Sequence, residues 1–98
     1  MIQIKREMGC TPEDLVRWLP MALGNLLPSA RFELDGKTLL PAANPLVVIS
    51  GISKPRRTIA LLKIPVLDLN LTFANTLTKS QCEEALNRFD LYTRRGGG

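Results

Sequence analysis

Ninety-eight residues, 45% of them apolar, make one domain (residues 1–98) large enough to fold around its own core without a disulfide framework. The formal net charge of +4 comes entirely from residues 54–98, which hold eight basic and four acidic side chains against five of each in residues 1–53. Having no histidine, the chain can offer neither an imidazole base nor a histidine-containing metal site, and no apolar run approaches the ~20 residues of a membrane span.

The first residues, MIQIKREMG, alternate Ile2, Ile4 and Met8 with Gln3 and Lys5, which predicts a strand ended by Gly9 and Cys10. The same stretch carries charges where a signal peptide needs its apolar centre, so the expected location is cytoplasmic. Thr11 reads as an N-cap, Pro12 as the first helical residue, and Glu13 and Asp14 as acids set against the positive end of the helix dipole. Leu15, Trp18, Leu19, Ala22, Leu23 and Leu26 then recur as one apolar helical stripe. Pro20 lies inside it, predicting a kink or two short helices, and Gly24, Asn25 and Pro28 mark the end.

Residues 31–34 and 37–40 flank Asp35-Gly36, a pair suited to the positive φ angles of a two-residue hairpin turn. PAANP (41–45) reads as a loop, LVVIS (46–50) as a buried strand, and GISKPRR (51–57) as a polar connection. Residues 58–73, TIALLKIPVLDLNLTF, are then expected to form the central extended element. Alternation puts Ile59, Leu61, Leu67, Leu69, Leu71 and Phe73 on one face, with Lys63 as the exception, and Asp68, Asn70 and Thr72 on the other. Around Pro65 the second face carries Ala60, Leu62, Ile64 and Val66. Pro65 cannot donate to a ladder and belongs at an edge, a bulge or a break between two strands. A last helix is expected from Thr78, where Thr78 and Gln81 have capping-box spacing, Leu77 and Cys82 that of a hydrophobic staple, and Cys82, Ala85, Leu86 and Phe89 form the inward stripe. Glu84 and Arg88 read as an outward pair, and residues 94–98 as a C-terminal tail.

Helices with a single apolar stripe must cover a sheet. The fold class is therefore α+β: a two-layer sandwich with a mainly antiparallel sheet of four to five strands, both helices on one face, in the order β-α-β-β-β-β-α. This is close to a ferredoxin-like arrangement without its last strand, and it leaves the other sheet face open.

Four groups of residues could carry function. Lys54, Arg56 and Arg57, joined by Arg94 and Arg95, could hold phosphate or nucleic acid. Leu62, Ile64 and Val66 are candidates for an interface with a protein partner or a second copy. Cys10, just before a helix cap, is the candidate reactive thiol. Strand, Gly9-Cys10-Thr11-Pro12, helix is similar over this short stretch to the sulfur-relay proteins that carry Cys-Pro-x-Pro at a helix start, with the proline displaced by one position and the second proline missing. Arg94-Arg95-Gly96-Gly97-Gly98 resembles the Gly-Gly tails of ubiquitin-like and sulfur-carrier proteins, although those tails follow a strand and this one a helix.

No catalytic constellation, metal site, cofactor motif or glycine-rich phosphate loop is expected. The expected role is a small non-catalytic interaction domain that recognises a protein partner or itself through the open sheet face, with a basic loop for anionic groups. A sulfur-relay or carrier protein and a weak nucleic-acid-binding module are the alternatives.

Overall fold

Two capping boxes start the helices where the sequence places them. A computed structural model describes residues 2–97, with side chains described for residues 2–93. Strand β1 is Ile2–Met8, and helix α1, Pro12–Leu23, begins at Thr11, whose hydroxyl accepts from the Asp14 amide at 3.1 Å while the Asp14 carboxylate accepts from the Thr11 amide. Pro20 sits within α1 without dividing it into two helices, and the expected end at Gly24, Asn25 and Pro28 is a 3-10 turn, Gly24–Ser29. Helix α2, Lys79–Gly97, starts the same way: the Gln81 amide donates to Thr78 Oγ1 at 3.1 Å and the Thr78 amide to Gln81 Oε1 at 2.8 Å.

Strands β2 (Ala30–Leu34) and β3 (Lys37–Pro41) form the expected hairpin, with Asp35 and Gly36 at φ 50° and 82°. With β4 (Val47–Ile59) and β5 (Leu62–Phe73) they build a five-stranded sheet in the order β1-β5-β4-β2-β3. The element order β-α-β-β-β-β-α is as expected, but the sheet is mixed, because β2 and β4 run parallel. After β3 the chain crosses to the far side of β2 and enters β4 in the direction of β2. The Leu46 amide donates to the Ser29 carbonyl at 2.8 Å and the Ala74 amide to the Leu46 carbonyl at 2.9 Å, which holds this crossing in place.

The core lies on one face of the sheet. Alternate residues Ala30, Phe32 and Leu34, Val47 and Ile49, and Leu67, Leu69, Leu71 and Phe73 are buried there against Leu15, Leu19 and Ala22 of α1 and Cys82 and Phe89 of α2. Gly51 continues this row between Leu34 and Leu69. A Cβ there would stand 2.8 Å from Leu34 Cδ1 and 2.6 Å from Leu69 Cδ2, so a side chain at this position would force one of the two leucines to shift in a packed core. Arg6 joins β1 to α2, donating through Nε and Nη2 to the two oxygens of Asp90 at 3.1 and 3.0 Å.

Residues 51–73 differ from the expectation. Residues 51–57 are strand, not a polar connection, and 58–73 is not one central element. Ile59 ends β4, Ala60 and Leu61 form a two-residue turn, and β5 begins at Leu62. Ala60 takes φ 54°, where glycine is usual in such a turn, so the Ala-Leu pair carries no turn signature. Pro65 marks a bulge: Lys54 pairs with Val66 and Arg57 with Ile64, so Pro55 and Arg56 together oppose Pro65, which has no amide to donate. The reading of Leu67, Leu69, Leu71 and Phe73 as the dry face holds, whereas Ile59 and Leu61 are exposed.

Candidate functional site

Partner strands run out along β4 and β5 before those strands end. β2 pairs with β4 only as far as Gly51, and β1 pairs with β5 only from Leu67 onward. Beyond those points β4 and β5 have only each other. Residues 54–66 therefore form a two-stranded arm projecting from the sheet by about 20 Å at ~3.3 Å per residue, and the molecule measures 45 × 25 × 21 Å.

An isolated hairpin is marginally stable in water, so the arm depends on its continuity with the sheet and on contacts at its base. Arg57 Nη2 donates to Glu7 Oε1 of β1 at 2.6 Å, and Lys54 Nζ lies 3.8 Å from Asp68 Oδ2. Nearby, the Ser53 amide and hydroxyl both donate to the Asp35 carboxylate at 2.7 Å, pinning the β2–β3 turn to β4. These two hydrogen bonds hold the exposed Asp35 carboxyl below its usual range.

The arm has four cations, Lys54, Arg56, Arg57 and Lys63, and no acid. Its end is aliphatic: Leu61 is 98% exposed, Leu62 68% and Ile59 53%. Leu61 and Leu62 are the most exposed of the large apolar side chains among the described residues, and they stand side by side in sequence.

The expected interface residues are thus separated. Leu62 stands at the arm's end, Ile64 is half-buried midway along it, and Val66 is buried at its base. Ile64 and Val66 line a cleft of about 540 Å³ where β5 runs past the end of β1, together with Arg6, Arg57 and Asp90. Among the basic candidates, Lys54, Arg56 and Arg57 lie together on the arm, with Lys54 and Arg57 already paired to acids. The side chains of Arg94 and Arg95, and Gly98, lie outside the described residues.

The sheet face away from the helices is open and polar. Lys5, Glu7, Ser50, Lys54, Asp68 and Asn70 line a shallow groove of about 560 Å³ across it, with Ile52 as its exposed apolar member. Asn70 Oδ1 is buried there and accepts no hydrogen bond from the described residues.

Cys10 occupies the turn between β1 and α1 and is 2% exposed. Burial, with a smaller contribution from the Asp14 charge, pushes its thiol up to about 11, opposite to the shift that a free helix N-terminus would give. Asp14 already takes the Thr11 amide, so the dipole has its anion. Cys10 and Cys82 are both buried and form no disulfide. Among the described residues no group of three or more His, Cys, Asp or Glu side chains could hold a metal, and no helix is long and apolar enough to cross a membrane.

Reading the sequence for extended elements missed Ile59, Leu61 and Lys63 as members of one exposed tip. The signal available was Lys63, the one charge on a face otherwise assigned to the core; it belongs to a strand that has left the core. Comparisons of the chain with protein families, with curated proteins and with solved structures found no match.

Proposed function

We propose that this chain is a non-catalytic binding module that engages a protein partner, and that the arm formed by β4 and β5 makes the principal contact. The observation that carries the reading is the end of the arm, where Leu61 and Leu62 stand in water beyond every neighbouring strand, with Ile59 half-exposed behind them along the cleft that Ile64 and Val66 line. Fully covering an aliphatic side chain of this size is favourable by roughly 1.5–3 kcal/mol, so Leu61 and Leu62 together supply a large part of a specific contact. The polar open sheet face, with Lys5, Glu7, Lys54 and Asp68 of both signs, serves as a rim that steers and registers the partner. Arg56 and Lys63 add attraction for acidic groups beside the tip.

The experiment is capture from native extract with nuclease present, comparing the wild-type chain with the double variant Leu61→Ser, Leu62→Ser. Both positions are exposed, so the variant should unfold at the same denaturant concentration as the wild type. Loss of a captured protein with unchanged stability is the expected result; a partner retained by the variant overturns the reading.

A further inference from the structure

One groove in the same chain has the chemistry to receive the arm. It lies between the start of α1 and the β2–β3 hairpin, holds about 480 Å³, and is mainly apolar, with Pro12, Val16, Leu34 and Leu39 forming its walls. Glu13 and Asp35 stand at its margin, with Lys37 as the one cation. Val16 and Leu39 are exposed, so the groove is open to an incoming group. The arm's end is its complement in both respects: Leu61 and Leu62 are aliphatic, and Arg56 and Lys63 bring positive charge to an acidic margin.

Resting on the reading of the arm as a protein-binding element, we infer that its occupant is a second copy of this chain, with the tip of each arm seated in the α1–hairpin groove of the other. Leu61 and Leu62 pack against Val16, Leu34 and Leu39, and Lys63 and Arg56 face Glu13. Because arm and groove lie on the same chain, a reciprocal exchange satisfies both and closes as a two-fold dimer. Side-by-side pairing of two arms is disfavoured, because it sets Arg56 and Lys63 against the same cations of the partner. A nucleic acid is disfavoured by number. A strongly salt-dependent duplex contact rests on about 6–10 phosphate contacts. On the arm Lys54 and Arg57 are already paired with Asp68 and Glu7, leaving Arg56 and Lys63 beside an aliphatic tip.

Sedimentation of the full chain over a wide concentration range tests this, with far-UV circular dichroism and denaturant midpoints as controls on folding. Wild type should sediment as a reversible dimer, and Leu61→Asp should shift it to monomer. Glu13→Lys should weaken the dimer by ~10-fold or more, and adding Arg56→Glu and Lys63→Glu to that variant should restore it, because the reversed charges again complement each other. Restoration separates the named contact from a general loss of folding. A wild-type chain that is monomeric at millimolar concentration overturns the inference, as does a dimer indifferent to Leu61→Asp. So does self-association absent while the arm binds duplex DNA with a steep salt dependence. If the chain is monomeric yet the arm variant still loses a captured protein, this inference fails and the binding-module reading stands; if capture is also indifferent to the arm, both fail.

Discussion

Arg88 of α2 donates its Nε to the Met21 carbonyl in the last turn of α1 at 2.7 Å, so one helix supplies the cation that the other lacks at its C-terminal end. α1 has no basic residue in its last turn, and its orphan carbonyls carry the negative end of the helix dipole. The guanidinium also stacks over the Tyr92 ring at 5.1 Å and lies against Gly24. Arg88→Ala should lower the unfolding free energy by about 1 kcal/mol, the modest value fitting an exposed charged hydrogen bond, measured by urea denaturation. Gly24→Ala should cost at least as much. Its φ is 56°, and a Cβ there would stand 2.8 Å from Arg88 Nε. The two losses should be less than additive, because each variant disturbs the same contact.

Gly51 tests the packing of the sheet's middle. Its backbone does not require glycine, so the cost of Gly51→Ala comes only from crowding against Leu34 and Leu69. A loss of about 1–3 kcal/mol is expected from such overpacking, read from the shift in denaturant midpoint. Pairing it with Leu34→Ala, which opens space at the same point, should give less than the sum of the two single losses.

The contact between Asp35 and Ser53 should make stability depend on acid pH. The folded carboxyl lies below its ordinary value because it accepts two hydrogen bonds from Ser53. A depressed value means that the contribution is present above the unfolded carboxyl's pKa and is lost as pH falls through the folded one. Asp35→Asn keeps a residue that tolerates the positive φ while removing the charge. Between neutral and strongly acid pH its thermal midpoint should therefore fall less than that of the wild type.

Cys10 titrates in the opposite sense. Its thiol is raised from 9.0 to about 11 by burial, so its contribution is complete below 9.0 and is lost as pH rises through about 11. Cys10→Ala should show a smaller alkaline loss of stability than the wild type. At neutral pH the native thiol should react with iodoacetamide more slowly than a free thiol and reach the free rate only in denaturant, and a native rate equal to that of a free thiol would contradict its burial.

Much of this molecule was legible because its local rules are strong. Thr11 with Asp14 and Thr78 with Gln81 satisfy helix amides within three residues, Asp35-Gly36 accepts positive φ, and the alternation of Leu67, Leu69, Leu71 and Phe73 states which face is dry. These features need only near neighbours along the chain, which is why they survive a reading made residue by residue. The end of β4, the turn at Ala60 and the arm itself were hidden for the converse reason. An apolar run looks the same whether it enters a core or leaves it, and Ala60 adopts its positive φ only because two long strands pair on either side of it. The parallel partnership of β2 with β4, the reach of Arg88 to Met21 and the bond between Arg6 and Asp90 likewise depend on register between distant segments. That register is set when the one dry face closes over both helices, and the same closure leaves Leu61 and Leu62 standing beyond the last neighbouring strand.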